Sequence, residues 1–149
     1  MSSGTSKALG SLLRWREWTE SRAELALALS ARELERAKAG SQAQLNVVTT
    51  IQQQRARMQE GSIDPALLQL AGEIENNAWR VLEARREDEA SAQDRRDGAH
   101  QALLDARAHM RVVEARHARV AATERDHREK ILFDRMADLH AQSRRHRHD

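Results

Sequence analysis

The chain has 149 residues, of which 32% are charged, and it contains no cysteine, no tyrosine, one phenylalanine and one proline. Residues that favour helices dominate, chiefly alanine, leucine, arginine, glutamate and glutamine. So few large apolar side chains cannot fill a broad core, so the composition excludes an ordinary globule and predicts long helices that pack along a narrow line. No run approaches the roughly 20 apolar residues of a membrane span, and residues 1–10 lack the apolar stretch of a signal peptide. We therefore expect a soluble cytoplasmic protein.

Charge is unevenly distributed along the chain. Residues 1–59 carry nine Lys/Arg against five Asp/Glu, residues 60–98 carry five against ten, and residues 107–149 carry eleven against seven. In an antiparallel pair of helices both basic segments lie near the termini and the acidic segment lies near the loop. Such a separation suits steered docking between two unlike partners, and ordinary fluctuation of surface charge explains it equally well.

A first helix is predicted from about residue 7 to residue 59, after a frayed start. Its apolar residues recur at spacings of three, four and seven, as one face of a helix requires. Between residues 31 and 41 the phase weakens, which predicts a stutter or loose pairing there. The apolar positions are Leu9, Leu12, Leu13, Trp15, Trp18, Leu25, Leu29, Leu34, Leu45, Val48, Ile51 and Met58.

The one firm break in the helical pattern runs from Glu60 to Pro65. Asp64 can cap a new helix whose first residue is Pro65, and Gly61 supplies a flexible or left-handed residue that ends the helix before it. Two long helices joined by a short loop fold back on each other. The predicted fold is all-α: one long antiparallel two-helix coiled coil, a single domain over residues 1–149, with the second helix longer than the first.

The second helix is predicted from residue 65 to about residue 143, followed by a basic, disordered tail at 144–149. Residues 83–98 offer only Ala90 and Ala92 as packing positions, and Gly98 marks a soft spot because glycine weakens helices. On either side the apolar spacing is regular. The packing positions are Leu67, Leu70, Ile74, Ala78 and Val81 before this stretch, and Ala99, Leu103, Ala106, Met110, Val113, His117, Val120, Glu124, His127 and Ile131 after it.

Folding back at residues 60–65 pairs positions whose numbers sum to about 125. Beyond about residue 118 the second helix therefore has no partner within the chain. This stretch nevertheless carries large apolar side chains, and an exposed apolar surface usually marks an interface. The side chains are Val120, Ile131, Leu132, Phe133, Met136 and Leu139.

The sequence contains few features of an enzyme or of a ligand-binding protein. Two helices form no concave pocket of the size that enzymes use, and no phosphate-binding loop or nucleophile motif is present. We therefore predict no enzyme activity, no cofactor and no metal site. The arginines alternate with acids and lack an aromatic platform, which argues against nucleic acid. Trp15 and Trp18 allow two interpretations: they pack between the helices, or they form an aromatic anchor at a partner surface.

The chain resembles the FliJ/YscO family of type III secretion and flagellar export. The resemblance rests on the start Ala8-Leu9-Gly10-Ser11-Leu12, a loop at the same relative place, and a longer second helix that ends in Arg135-Met136-Ala137-Asp138-Leu139-His140-Ala141. It implies a two-helix stalk similar to that of rotary ATPases. The end holding both termini enters the pore of a hexameric export ATPase, and the opposite region contacts the export-gate membrane protein. Some members also bind secretion chaperones, and none hydrolyses ATP.

Site residues follow from this resemblance position by position. The ATPase-facing residues are Leu9, Leu12, Leu13, Ile131, Leu132, Met136 and Leu139. The gate-facing residues are Val47, Ile51, Ile74, Ala78, Val81 and Arg85. The chain departs from some relatives by lacking tyrosine, and its Arg-rich, Ala-rich composition favours a virulence or symbiosis secretion system over a flagellum. The alternative function is a structural coiled coil that forms a homodimer scaffold through the same unpaired stretch.

Overall fold

Two helices make up the chain in the computed structural model, which describes residues 2–62 and 64–146 and the side chains of all these except residues 2 and 3. Helix α1 spans Ser2–Gln59 (58 residues) and helix α2 spans Pro65–Arg145 (81 residues). The all-α prediction with a longer second helix is confirmed. The predicted frayed start is wrong, because α1 begins at Ser2, and the predicted tail is helical at Arg144 and Arg145. Its last three residues, 147–149, lie outside the described part of the chain.

The connection between the helices depends on Asp64, as predicted. Its Oδ1 accepts a hydrogen bond from the Ala66 N–H at 3.0 Å, and its carbonyl accepts the N–H of Leu67 at 3.0 Å. These bonds satisfy donors that the first turn of a helix leaves without partners. Helix α1 ends with the Glu60 N–H donating to the Arg57 carbonyl at 3.3 Å. The prediction that Gly61 adopts a left-handed backbone conformation is wrong, since no glycine among the described residues has a positive φ.

Contacts group the chain into two compact units, each built from a stretch of both helices. Unit 1 comprises Met1–Ser21 and Leu104–Asp149, and unit 2 comprises Arg22–Leu103.

In unit 2 the two helices contact each other along a line of buried and half-buried side chains, which we call the unit 2 seam. Its positions lie three or four residues apart, as in coiled-coil packing, except between Leu82 and Glu89 on α2, where the intervening Arg85 is exposed. It includes a buried core cluster of Val48, Ala78 and Leu82, with Leu45 and Ile51 packed against it. The seam residues are Ala23, Leu27, Ser30, Leu34, Ala37, Ser41, Gln44, Val48, Ile51, Arg55 and Met58 on α1, and Leu68, Ala71, Glu75, Ala78, Leu82, Glu89, Ala92, Arg96, Ala99 and Leu103 on α2.

Polar contacts across the unit 2 seam define which residues face each other. Glu33 pairs with Arg95 at 3.6 Å, the Gln44 amide donates to the Ala78 carbonyl at 2.9 Å, and Arg55 pairs with Glu75 at 2.7 Å. Residue numbers fall along α2 as they rise along α1. Their sums lie near the predicted value of about 125.

Part of the predicted apolar face of α1 is wrong. Leu25 and Leu29 are 61% and 49% exposed, because each stands two positions after a seam residue. Two positions are about 200° around a helix, which is the opposite side. The predicted stutter at 31–41 is also wrong, since buried Ser30, Leu34 and Ser41 keep the three-four spacing. Serine holds two of these three positions, and a search for large apolar residues passes over them.

Residues 83–98 of α2, where few packing positions were predicted, also place small or polar residues in the seam. Ala92 is buried as predicted, at 2% exposure, whereas Ala90 is exposed and not part of the seam. Half-buried Glu89 and Arg96 hold the flanking positions. The apolar stems of such long side chains can cover the helix contact while their charged ends reach water.

Unit 1 has its own line of buried and half-buried positions. Across it Arg16 Nη1 lies 3.4 Å from His109 Nδ1, and Arg107 pairs with Glu20 at 3.2 Å. The predicted α2 line is confirmed through Glu124, but His127 and Ile131 are exposed and the prediction is wrong for them. The unit 1 seam comprises Leu9, Leu13, Arg16 and Glu20 on α1, and Ala106, Met110, Val113, His117, Val120 and Glu124 on α2.

Trp15 and Trp18 do not pack in the seam. They are 50% and 55% exposed, because Arg16 takes the seam position between them. The Arg16 guanidinium lies 4.7 Å from the centre of the Trp15 ring, which is a cation–π distance. The interpretation that the two tryptophans pack between the helices is therefore wrong.

Within the described residues, neither helix has a stretch that is long and apolar enough to cross a lipid bilayer.

Replacing Leu82 by Ala should lower the free energy of unfolding by about 2–5 kcal/mol, because it removes a large buried side chain and leaves a cavity. Urea unfolding followed by circular dichroism measures this. The matched control is Val81→Ala, one position away and 44% exposed, which should change stability far less. Equal losses for the two variants would contradict the burial of Leu82.

Gly98 lies inside α2, and a Cβ built on it meets no atom within 4 Å. Gly98→Ala should therefore stabilise the protein by about 0.5–1 kcal/mol, through the higher helix propensity of alanine. The reverse change at an exposed neighbour, Ala102→Gly, should destabilise it by a similar amount. Thermal unfolding measures both, and a lower melting temperature for Gly98→Ala would show that the position needs glycine.

Candidate protein interfaces

The end of α2 is exposed on every side. Residues 125–146, called the C-terminal segment below, are all exposed, in contrast to the half-buried Glu124 just before them. The segment nevertheless carries five large apolar side chains within nine residues. They are Ile131 (37% exposed), Leu132 (57%), Phe133 (71%), Met136 (59%) and Leu139 (65%).

The apolar surface of the C-terminal segment does not continue the unit 1 seam. If the three-four spacing ran on past Glu124, it would reach His127, Ile131, Asp134 and Asp138. Two of these four positions are aspartates, which cannot extend an apolar contact line. Leu132 and Leu139 stand one residue after seam positions, and one residue is about 100° around a helix. Apart from Ile131, the segment therefore presents its large apolar side chains in a new direction, away from the line that α1 covers.

The seven residues predicted to face an ATPase all lie in unit 1, in two kinds of environment. Ile131, Leu132, Met136 and Leu139 are exposed on the C-terminal segment. On α1 only Leu12 is exposed, at 38%, whereas Leu9 and Leu13 are half-buried in the unit 1 seam. Leu9 and Leu13 thus offer a partner less surface than expected.

A second apolar surface lies in unit 2, near the loop. It is a groove of about 190 Å³ between the two helices. Leu67, Leu70 and Ile74 are about half exposed along its α2 side, at 52%, 52% and 49%. The lining residues are Ile51, Gln54, Arg55, Met58, Leu67, Leu70, Ala71 and Ile74.

Some of the residues predicted to face the export gate are exposed in unit 2. Val47, Ile74 and Val81 are 47%, 49% and 44% exposed, and Arg85 is exposed as well. Ala78, in contrast, is only 7% exposed within the core cluster, and Ile51 packs against that cluster. These two side chains stabilise the helix pair, so Ala78 has no free surface for a partner and Ile51 has little.

Leu67 and Leu70 were predicted as seam residues but are exposed, because the seam positions are Leu68 and Ala71. The three-four spacing is the same in both sets. A shift of one residue decides which set is covered. The apolar pattern of α2 favours the exposed set, because Ile74 continues it whereas the polar Glu75 continues the seam set of Leu68 and Ala71.

Next to the groove, a polar cluster joins the helices. Arg55 Nη1 donates to Glu75 at 2.7 Å and Gln52 Nε2 donates to the same carboxylate at 3.2 Å. The Glu75 side chain is only 14% exposed. Hydrogen bonds from Arg55 and Gln52 hold the pKa of Glu75 below its ordinary value, against the opposing effect of burial. These hydrogen bonds hold α1 and α2 at a fixed position relative to each other along the helix axes.

Comparisons with protein-family models, with curated proteins and with solved structures find no match to this chain. Within the described residues, no group of three or more histidine, aspartate or glutamate side chains is placed to hold a metal ion.

The lowered pKa of Glu75 predicts a pH dependence of stability. A carboxyl whose pKa falls on folding stabilises the folded state above its unfolded pKa, and this contribution is lost as pH falls through the folded pKa. Glu75→Gln should therefore destabilise the protein at neutral pH and lose its effect in acid. Melting temperatures across pH measure this. Glu73→Gln, at an exposed carboxylate on the same helix, is the control, and an equal pH dependence for both variants would contradict the prediction.

Proposed function

We propose that the protein is the central stalk component of a type III protein export apparatus, which binds a hexameric export ATPase and couples it to the export gate. The observation that carries the proposal is the C-terminal segment. Its five large apolar side chains are exposed, and all of them except Ile131 lie off the line of the unit 1 seam; exposed apolar surfaces of this kind mark protein interfaces. The resemblance to the FliJ/YscO family supplies the identity of the partner.

In this proposal the two helices form one antiparallel coiled coil. The cross-helix contacts of each unit support that architecture, because residue numbers fall along α2 as they rise along α1. Residues Leu12, Ile131, Leu132, Met136 and Leu139 contact the inner surface of the ATPase ring. Leu9 and Leu13 act indirectly, by holding α1 against α2.

The gate contact lies in unit 2 near the loop. Val47, Ile74, Val81 and Arg85 are exposed there and form the proposed contact, and the buried Ala78 and the packed Ile51 support it from beneath. In this role the protein works in the cytoplasm, held at the inner membrane by the export apparatus. Secretion chaperones are a further class of partner. The chain does not hydrolyse ATP itself.

The C-terminal segment provides the test. Met136→Asp places a charge in the exposed apolar surface and should weaken binding to the export ATPase of the same organism by at least about tenfold, because an unpaired charge buried in an interface is costly. Co-sedimentation with the hexamer and stimulation of its ATP hydrolysis measure the effect. Circular dichroism should remain helical, since Met136 has no packing role to lose.

The matched control is Ala141→Asp. Ala141 is exposed and stands seven residues after Asp134, so the new charge lies on the polar side of the same helix. This variant should bind and stimulate the ATPase like the parent chain. Normal binding by Met136→Asp, or no binding by the parent chain, would refute the proposal. If Met136→Asp instead abolished a tight homodimer of the parent chain, the scaffold alternative would replace it.

A further inference from the structure

The side of α1 that is turned away from α2 carries two tryptophans in unit 1. A position two residues before or after a seam residue lies about 200° around the helix from it, on that outer side. Trp15 and Trp18 stand two residues after the seam residues Leu13 and Arg16. They are 50% and 55% exposed, so two large aromatic rings lie on a side where surface helices normally carry polar residues.

The charged residues on this outer side are all basic. Lys7 and Arg14 stand two residues before the seam residues Leu9 and Arg16, and both are exposed. Arg14 Nη2 donates a hydrogen bond to the Ser11 hydroxyl, one turn away on the same side, at 3.3 Å. The residues that we call the outer face of unit 1 are Lys7, Ser11, Arg14, Trp15 and Trp18.

The acidic residues in this part of α1 lie off the outer face. Glu20 is a seam residue whose carboxylate pairs with Arg107 at 3.2 Å. Glu17 stands one residue after the seam residue Arg16, about 100° around the helix, and therefore lies on a flank. The outer face thus combines aromatic rings with positive charge and has no carboxylate. It belongs to a unit that contains 14 Lys/Arg and ten Asp/Glu.

We propose that the outer face of unit 1 binds the surface of a phospholipid bilayer that contains anionic lipids. In this contact α1 lies in the plane of the surface, with Trp15 and Trp18 among the headgroups and Lys7 and Arg14 near the lipid phosphates. Tryptophan is enriched at this interface because its ring is apolar and its indole N–H is polar. Basic side chains beside it add attraction to the anionic headgroups.

The shape and charge of the outer face favour a lipid surface over a protein partner. The face is the outer side of a single helix, so it is convex and has no groove in which a partner side chain is buried. Protein hot spots cluster in such desolvated pockets, whereas a fluid bilayer adapts to a convex surface. Because the face has no carboxylate, anionic headgroups meet attraction there and no repulsion.

The C-terminal segment, a second exposed apolar surface of unit 1, lacks this charge pattern. Glu129, Asp134 and Asp138 lie among its large apolar side chains. Carboxylates at these positions oppose contact with an anionic surface. The two surfaces therefore suit different partners. The proposed lipid contact does not depend on the stalk function, because it needs only the isolated chain and residues of α1.

Co-sedimentation of the full chain with phospholipid vesicles tests the proposal. The parent chain should bind vesicles of equal parts phosphatidylcholine and phosphatidylglycerol at least about tenfold more tightly than vesicles of phosphatidylcholine alone, because only the mixed vesicles are negatively charged. High salt should weaken this binding by screening the attraction. Replacing Trp15 and Trp18 together by glutamine should weaken it by at least about tenfold. Circular dichroism should stay unchanged, since neither ring packs in the seam.

Charge reversal separates the outer face from the net charge of the unit. Arg14→Glu should weaken binding to the mixed vesicles on the order of tenfold, because it places a carboxylate against the anionic surface. The matched control is Arg119→Glu, which changes the net charge equally. Arg119 is exposed on α2 and stands two residues after the seam residue His117, on the side turned away from α1. This variant should bind the vesicles like the parent chain.

Tryptophan fluorescence locates the contact, because an indole ring that leaves water emits at shorter wavelength. In Trp79→Phe the only tryptophans are Trp15 and Trp18, and their emission should shift to shorter wavelength when mixed vesicles are added. In the reciprocal variant, in which Trp15 and Trp18 are both replaced by phenylalanine, the only tryptophan is Trp79. This ring lies in unit 2 and is 37% exposed, and its emission should not shift.

Three outcomes would overturn the inference. A parent chain that binds neither kind of vesicle excludes the lipid contact, and binding to polyglutamate instead would identify an acidic protein as the partner. Equal binding by Arg14→Glu and Arg119→Glu shows that the outer face is not the contact. Vesicle binding that survives the loss of both tryptophans but is lost in Met136→Asp lies on the C-terminal segment. Met136→Asp is otherwise expected to bind vesicles like the parent chain while losing the ATPase, so the two proposals fail separately.

Discussion

The structure depends on a shortage of large apolar side chains. Two helices that pack along a single line bury about two of every seven positions, and this chain fills many of those positions with alanine, serine and even charged residues. Ser30 and Ser41 are 8% exposed and Ala92 is 2% exposed, while Leu25 and Leu132 remain at the surface. The chain thus uses small residues where the helices must approach closely. Much of its large apolar area stays available to partners.

The two candidate interfaces arise from this same constraint in different ways. On the C-terminal segment the continued seam positions are polar at His127, Asp134 and Asp138, and Leu132 and Leu139 lie about 100° away, on a side that α1 does not cover. In unit 2 the apolar residues Leu67 and Leu70 stand one position before the seam and line a groove. The polar cluster of Arg55, Gln52 and Glu75 beside the groove adds directional bonds. Such bonds contribute more to the register of the helices than to their stability.

Much of the secondary structure follows from local chemistry. The Asp64 cap and Pro65 predict the start of α2 to the residue, because both act within one turn and need no distant partner. The strict alternation from Ala106 to Glu124 predicts the unit 1 seam of α2 for a similar reason, since Met110, Val113 and Val120 keep one phase. The prediction failed where one helix carries two sets of apolar residues on different sides. On α1 the set that includes the large residues Trp15, Trp18 and Leu25 dominates the pattern. The helices nevertheless pack through the other set, whose side chains are smaller.

Local chemistry in the sequence is enough to specify that the chain forms two long helices, that the loop between them lies at residues 60–64, and that the second helix is longer. Helix propensity, capping and periodicity are local properties and can be read without knowing the partner face. Which line of each helix is covered, and therefore which residues remain as interfaces, follows from the packing of the two helices on each other. That choice depends on how closely the two backbones approach and on which pairs, such as Arg55 and Glu75, face each other. These relations join residues 20 or more positions apart, so the pattern of either helix alone does not contain them.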